Sequence, residues 1–364
     1  MSESSRGKVR VAVVDDSTFI RMAISKMLED DPDVDMVGAA SCGEELLEHL
    51  HEWKPDAISL DLDMPGIGGL ETLARIMKER PTPVIILSTH SGEGAPQTIE
   101  ALHRGATDFI DKQQFSLVDF GALRQVLMEK IFEVTGRVRQ SPTTAEDEPD
   151  AGSLIEDIKL PTAYDLVVLG ASTGGPPTLQ IILEELGADV PIPIVIVQHM
   201  PKGFTQAFAE RLDAHLPLDV REASHAGRLE PGCVRIGPAG SHLRIHRTTH
   251  ELFTELSDYP HDQAHTPSID VLFESAARCA GRRVLAALLT GMGTDGAKGM
   301  AALKAVGAYT LCQSEKSSVV FGMPRAALGM NAVSEIGDPH RIGQRIKDLM
   351  ESPIRAVSGR KPWQ

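Results

Sequence analysis

The segment LGASTGGPP, residues 169–177, places a serine in a glycine-rich turn directly after the apolar run YDLVVL. Ser172 lies in the pattern G-x-S-x-G, in which a strand-to-helix turn raises a serine hydroxyl above a sheet edge, next to free backbone N–H groups at the helix start. Such a hydroxyl acts as a nucleophile, and the N–H groups suit a developing oxyanion. The same kind of turn is also typical of a loop that cradles the phosphates of a nucleotide.

Residues at two other strand ends favour the nucleophile. A dinucleotide-binding loop needs an acidic residue at the end of the next strand, but the run IPIVIV ends in Gln198 and His199. A histidine there suits a general base for a serine on a neighbouring strand. The run RVLAALLT leads into a glycine-rich turn with Asp295, whose carboxylate would orient the imidazole. We therefore predict a Ser172–His199–Asp295 triad, in a chain order that differs from the Ser-Asp-His order of α/β-hydrolases.

Polar residues also follow the strand-like runs of the first 135 residues. Asp15 and Asp16 follow the first run and Asp61 follows the third, while Ser88 and Lys112 follow the fourth and fifth. Because the carboxyl ends of parallel strands meet at one edge of a sheet, we expect all five to converge there. Clustered carboxylates favour Mg²⁺. A carboxylate beside that cation can accept a phosphoryl group, with the cation, the hydroxyl and the lysine neutralising the developing charge.

The elements that position these residues alternate between strand and helix patterns. Five strand–helix units in residues 1–135 predict a doubly wound parallel five-stranded sheet, and residues 164–350 predict a second doubly wound, mainly parallel α/β domain. Between them, residues 136–163 are polar and acidic without periodicity, which indicates a linker with local structure near SLIEDI. Residues 351–364 form a tail. Within the second domain, the alternating stretch 232–256 predicts a β-hairpin or short meander.

The composition excludes several classes of protein. The formal net charge is −15, which argues against nucleic-acid binding because phosphate contacts need clustered Lys and Arg. The chain has no apolar run long enough for a membrane span and no signal-peptide core, so we expect a cytoplasmic protein without membrane insertion. Its four cysteines are widely separated, which argues against a disulfide framework or a zinc knuckle (Cys42, Cys233, Cys279 and Cys312).

Residues 8–135 resemble a response-regulator receiver domain. The resemblance implies that Asp61 is the phospho-acceptor and that Asp15, Asp16 and Asp61 surround Mg²⁺. It also implies that Ser88 is the switch hydroxyl, that Lys112 contacts the phosphoryl group and that a histidine kinase is the phosphodonor.

Two positions depart from the receiver pattern. The family usually has an acid in the segment after the acceptor, where MPGIGG has Gly68, and a proline after the lysine, where this chain has Gln113. We still expect phosphorylation, with an altered lifetime of the phosphoryl group.

Residues 164–350 resemble the catalytic domain of chemotaxis protein-glutamate methylesterases. The matching stretches include DLVVLGASTGGP, VIVQHMPKGFTQAFAERL, PSIDVLFESAA, LLTGMGTDGAKGMAALKAVGA and SSVVFGMPRAAL. The resemblance implies that Ser172 is the nucleophile, His199 the base and Asp295 the orienting acid. It further implies that the backbone of Met292 helps to form the oxyanion hole and that Thr173 lines the site.

The two resemblances together imply a phosphorylation-regulated serine hydrolase. Its substrates would be glutamyl methyl esters, and glutamine side chains, of methyl-accepting chemotaxis receptors. Ester hydrolysis would need no cofactor, and the unphosphorylated receiver would obstruct the catalytic site. The alternative is a non-enzymatic response regulator whose second domain binds a nucleotide or a partner.

Overall fold

The computed structural model describes residues 7–88, 95–112, 120–137, 161, 163–249 and 251–351. The chain divides into two compact units, 1–145 and 146–364. Most of the predicted linker, with SLIEDI, and all but the first residue of the predicted tail lie outside the described residues. Within the described residues, no helix is both long and apolar enough to cross a membrane.

The first unit alternates strands and helices, as its sequence pattern predicts. Its strands are β1 (Val9–Val14), β2 (Val34–Ala40), β3 (Ala57–Asp61), β4 (Val84–Ser88) and β5 (Asp108–Asp111). Its helices are α1 (Thr18–Glu29), α2 (Gly43–Trp53), α3 (Gly68–Glu79), α4 (Ala95–His103) and α5 (Phe120–Val134).

The five strands form one parallel sheet in the order β2-β1-β3-β4-β5. The strands are apolar along most of their length because helices cover both faces of a doubly wound sheet. Val11 and Val13 of β1, for example, belong to a buried cluster with Leu28 of α1 and Leu127 of α5. The chain reverses its winding direction between β1 and β3, which is where such sheets form a crevice for ligands.

The second unit contains nine strands and six α-helices in its described part. The strands are β6 (Leu166–Ala171), β7 (Ile194–Gln198), β8 (Asp219–Glu222), β9 (Cys233–Ile236), β10 (His242–Arg247), β11 (Leu252–Ser257), β12 (Val284–Leu288), β13 (Tyr309–Gln313) and β14 (Glu335–Gly337). The helices are α6 (Gly175–Leu186), α7 (Phe204–His215), α8 (Ile269–Ala280), α9 (Ala297–Ala305), α10 (Met323–Gly329) and α11 (Pro339–Glu351).

Seven of these strands form a parallel sheet in the order β14-β13-β12-β6-β7-β9-β8. Strand β6 lies at its centre, with β7 on one side and β12 on the other. The strand order therefore reverses at β6, which places the ligand crevice beyond its carboxyl end. The fold class predicted for both units is confirmed.

The stretch 232–256 differs in part from its prediction. Strands β10 and β11 form the predicted antiparallel hairpin, as a separate two-stranded sheet. Strand β9, however, joins the main sheet in parallel with β7 and β8. Alternation alone does not distinguish these two arrangements, because half-buried strands of either kind alternate. The pattern also missed β8, β13, β14, α10 and α11, most of which are short.

Candidate functional site

The serine turn lies at the carboxyl end of the central strand β6. Ala171, the last residue of β6, pairs with Gln198, the last residue of β7. Ser172 and His199 therefore follow side by side, and the His199 N–H donates a 3.0 Å hydrogen bond to the Ala171 carbonyl. The turn has the predicted strand–turn–helix form, with two prolines in the first turn of α6.

The backbone of this turn requires a glycine at residue 174. Gly174 has a φ of 75°, and a Cβ placed on it would approach Cγ2 of Val319 to 2.5 Å. The Ser172 N–H donates to the Thr290 carbonyl at 3.0 Å, and the Gly175 N–H donates to the Ser172 carbonyl at 2.8 Å. These two N–H groups are therefore occupied, and of the two only that of Gly175 lies at the helix start.

Met292 lies in the turn that follows β12, the strand on the other side of β6 from β7. Its side chain is exposed, and its backbone N–H donates to no backbone carbonyl among the described residues. Gly291, before it, donates its N–H to the Val320 carbonyl at 3.0 Å, which fixes this turn against the segment after β13. The Met292 N–H, to which the resemblance assigns a place in the oxyanion hole, is therefore not used by a backbone hydrogen bond in the described part of the chain.

His199 and Asp295 meet directly. Nε2 of His199 donates to Oδ2 of Asp295 at 2.8 Å, and both side chains are mostly buried. Nδ1 of His199 is also buried and has no hydrogen-bond partner in the part of the chain that the structure describes. Nδ1 is therefore the nitrogen available to receive a proton.

Asp295 is held by several donors besides His199. Its oxygens accept hydrogen bonds from Oγ of Ser268 at 2.8 Å and from the backbone N–H groups of Ile269 at 2.8 Å and Asp270 at 3.0 Å. Burial raises the pKa of the Asp295 carboxyl, but the hydrogen bond and charge of His199, together with the N–H donors at the start of α8, lower it to about 2. The carboxylate is therefore ionised at neutral pH and oriented by a helix N-terminus.

Two residues that the sequence pattern did not indicate hold the backbone of the serine turn. Nε2 of Gln198 donates to the Ser172 carbonyl at 2.9 Å, and Oγ1 of Thr290 donates to the Thr173 carbonyl at 2.9 Å. Thr173 itself is buried beside these contacts. The signal for Gln198 was its position at a strand end, and Thr290 lies in the strand-end run LLTG.

The acidic residues of the first unit also converge as predicted. Nζ of Lys112 donates to Oδ2 of Asp15 at 2.9 Å and to Oδ2 of Asp61 at 2.8 Å. Asp15, Asp16 and Asp61 each offer an oxygen, and these three atoms lie within 4.8 Å of one another. Asp15 and Asp61 are buried and Asp16 is exposed, so the cluster opens to solvent on one side.

The electrostatics of this cluster follow from its burial. Burial raises the pKa of Asp61, and Lys112 opposes the rise only in part. Burial also lowers the pKa of Lys112, but Asp61 and Asp15 raise it by more, so the ammonium stays charged. Three carboxylates around one ammonium leave an excess of negative charge, which a divalent cation neutralises.

Ser88 and Gly68 lie at the same edge of the first sheet as the acidic cluster, at the end of β4 and after β3. Ser88 ends β4 and its Oγ accepts a 2.9 Å hydrogen bond from Oγ1 of Thr98 in α4. Gly68 has a φ of 74°, and a Cβ there would meet no atom within 4 Å. Gln113, the second departure from the receiver pattern, lies outside the described residues.

Two family models match the chain. Residues 167–346 match the CheB methylesterase family, and residues 11–119 match the response regulator receiver domain. The two matches coincide with the two units that carry the serine turn and the acidic cluster.

Proteins from other organisms are similar to this chain over nearly its whole length. A protein-glutamate methylesterase/protein-glutamine glutaminase of Halalkalibacterium halodurans is 39% identical over 332 residues, covering 90% of this chain and 94% of that protein. A protein of the same name, numbered 2, from Pseudomonas aeruginosa is 38% identical over 355 residues, covering 97% and 99%. The crystal structure of the Thermotoga maritima CheB methylesterase catalytic domain covers 51% of this chain and 99% of that one, with a TM-score of 0.50 and 34% identity.

Proposed function

This chain belongs to the CheB methylesterase family, and we propose from that premise that its Ser172, His199 and Asp295 form the catalytic triad. The protein is a phosphorylation-regulated hydrolase that converts protein glutamyl methyl esters to glutamates and releases methanol. The observation that carries the assignment is the 2.8 Å hydrogen bond from His199 to Asp295 beside the serine turn, which leaves Nδ1 of His199 without a partner.

In the first half of the reaction, Oγ of Ser172 attacks the ester carbonyl while its proton passes to Nδ1 of His199. Asp295, already ionised, stabilises the imidazolium through the hydrogen bond from Nε2. Methanol leaves with the proton from Nδ1, and the glutamyl group remains bound to Ser172 through an ester. A glutamine substrate would follow the same course and release ammonia.

In the second half, water attacks the acyl-enzyme while His199 accepts its proton. The bond between the acyl carbon and Oγ of Ser172 then breaks as Nδ1 returns its proton to Oγ, and the glutamate side chain leaves as a carboxylic acid that loses its proton to solvent. We assign the N–H of Met292 to the oxyanion hole for the negative oxygen that develops in both halves, with Thr173 lining the site. An oxyanion donor of this kind contributes roughly 10²- to 10³-fold in kcat. Ester hydrolysis requires no cofactor in this scheme.

In the first unit, Asp61 is the phospho-acceptor. The donor set of Asp15, Asp16 and Asp61 fits Mg²⁺, because carboxylate oxygens are its preferred protein ligands. When bound, Mg²⁺ neutralises the charge that develops during phosphoryl transfer. An oxygen of Asp61 attacks the phosphorus as the donor group leaves, while Lys112 binds a phosphoryl oxygen and Ser88 acts as the switch hydroxyl.

The partners follow from these two activities. The substrates are methyl-accepting chemotaxis receptors, and the phosphodonor is a histidine kinase. We place the protein in the cytoplasm, without membrane insertion and without nucleic acid as a ligand. Phosphorylation of the receiver raises the hydrolase activity, with a coupling free energy typical of such regulation, ~1–3 kcal/mol.

A fluorophosphonate probe tests the triad without needing a receptor. The wild-type protein should be labelled at Ser172, and Ser172→Ala should lose both the label and methanol release from methylated receptor. The rival interpretation, a non-enzymatic regulator with a nucleotide-binding second domain, would show tight nucleotide binding and no labelling. Labelling that persists in Ser172→Ala would refute the assignment of the nucleophile.

A further inference from the structure

The catalytic imidazole is covered by a second histidine that belongs to no triad. The rings of His199 and His265 are stacked, with centroids 4.1 Å apart and an angle of 22° between their planes. The side chain of His199 is only 8% exposed. His265 is itself exposed and lies just before α8. One face of the general base is therefore shielded by an aromatic ring rather than by solvent.

The segment that carries His265 is held at both ends by one buried histidine. Nε2 of His242 donates to the Pro260 carbonyl at 2.8 Å, and its Nδ1 accepts from the N–H of Ser268 at 3.1 Å. Burial lowers the pKa of His242, so its ring stays neutral and serves as donor at one nitrogen and acceptor at the other. In addition, the Gly240 N–H donates to the Thr266 carbonyl at 3.0 Å, next to His265.

The same segment also reaches the acid of the triad. Oγ of Ser268 donates a hydrogen bond to Oδ1 of Asp295. Ser268 has no part in the proposed proton transfer. Residues 260–268 thus contact Asp295 at one end and place His265 against His199. The hydrogen bond to Asp295 restricts movement of the His199 ring within its own plane. The stacked ring of His265 restricts movement of the His199 ring out of that plane.

We propose that His265 is a positioning residue for the general base, and that it acts by stacking rather than by proton transfer. The proposal rests on the proposed function of His199. A single hydrogen bond at Nε2 leaves the imidazole free to tilt about that bond, which moves Nδ1 away from Oγ of Ser172. The stacked ring opposes this tilt and keeps water from the ring face when the imidazolium forms. An aromatic side chain that cannot transfer a proton should therefore replace His265 with little loss of activity.

The experiment compares His265→Phe with His265→Ala in the full-length protein, phosphorylated with acetyl phosphate and Mg²⁺. His265→Ala should lower kcat for methanol release about 10-fold or more and leave KM unchanged, because a displaced catalytic group slows the chemistry. His265→Phe should restore most of the loss. His261→Ala is the matched control, since His261 is exposed in the same segment and packs edge-on against Tyr259; its activity should equal that of the wild type.

Two further measurements separate the outcomes. The NMR signals of the His199 ring protons should move toward their unstacked position in His265→Ala and stay shifted in His265→Phe, a readout that needs no substrate. If His265→Ala retains full kcat, or if His265→Phe is as slow as His265→Ala although the NMR signals show its ring stacked, the proposal is overturned. If instead the wild type neither reacts with the fluorophosphonate nor releases methanol, the proposed function fails while the NMR comparison still tests the stacking.

Discussion

His199 and Asp295 lie on opposite sides of the strand that carries the nucleophile, and their side chains still meet at 2.8 Å. His199 follows β7 and Asp295 follows β12, and both strands pair with β6. The base and the acid therefore meet across the end of the central strand, above the switch point of the sheet. The hydrogen bond joins residues 96 positions apart, so the site forms only when the whole sheet has assembled.

Asp295→Asn should lower kcat roughly 10³-fold or more with little change in KM, because the amide cannot stabilise the imidazolium as the carboxylate does. Ser268→Ala is the matched control: it removes one hydroxyl donor but leaves the N–H donors of Ile269 and Asp270 on Asp295. Its kcat should fall less than 10-fold. Methanol release under saturating substrate measures both. An Asp295→Asn protein as active as Ser268→Ala would contradict the role of the carboxylate.

Gly174→Ala should destabilise the second unit and slow the labelling of Ser172. A non-glycine residue in the left-handed region costs about 1 kcal/mol, and the new Cβ would also collide with Val319. The matched control makes the same substitution in a Val319→Ala background, where the colliding side chain is shortened and the backbone strain at residue 174 is unchanged. Urea unfolding should show a larger loss for Gly174→Ala with Val319 present than in the Val319→Ala background. Equal losses in the two backgrounds would show that the collision is relieved at no cost.

Asp61→Asn should abolish phosphate incorporation from acetyl phosphate, because the acceptor oxygen is lost. Asp63→Asn, two residues further on and exposed, should incorporate phosphate at the wild-type rate. A chelator should stop incorporation in the wild type, since the clustered carboxylates need a divalent cation. Radiolabelled acetyl phosphate followed by gel analysis measures all three. Incorporation that survives in Asp61→Asn and disappears in Asp63→Asn would move the acceptor to Asp63.

The stability of the second unit should depend on pH through Asp270. Burial raises the pKa of this carboxyl to about 6, and the nearby Asp295 adds to the rise, although the N–H of Gly299 opposes it. Because the folded pKa lies above the ordinary value of 3.8, the stabilising contribution is complete below pH 3.8 and is lost as pH rises through about 6. Asp270→Asn removes the ionisation and keeps an acceptor for Gly299.

Asp270→Asn should therefore raise the free energy of unfolding above that of the wild type, and this gain should increase from pH 4 to pH 7 by an amount on the order of 1 kcal/mol, because partial exposure screens the charge. Urea unfolding at a series of pH values measures the gain, and Asp262→Asn, at an exposed position, provides the baseline. A gain that stays constant across this range would mean that Asp270 ionises normally in the folded protein.

The sequence predicted the fold class and the strand ends on which the reactive residues lie, because motif and hydrophobic pattern agreed there. Ser172 follows one buried strand and Asp61 is the last residue of another, and the apolar runs of both strands are unambiguous. The contacts among these residues depend on which strands become neighbours, and periodicity contains no such information. The position of β9 in the main sheet was missed for the same reason.

The residues that support the site were harder to predict. His265 and Ser268 lie in or next to a segment without periodicity, and they reach the triad only because His242 fixes the ends of that segment. In the sequence, His242 is one of several histidines in a hairpin and carries no sign of this role. Residues that act through tertiary contacts leave no local pattern.

The central claim is that phosphorylation of Asp61 controls ester hydrolysis at Ser172, and methanol release from methylated receptor by the full-length protein tests it most directly. With acetyl phosphate and Mg²⁺, the wild type should release methanol about 5- to 150-fold faster than without them, the range typical of such couplings. Asp61→Asn should stay at the unstimulated rate, and Ser172→Ala should release none in either condition. Equal rates of the wild type with and without phosphodonor, with Asp61 shown to be phosphorylated, would contradict the account.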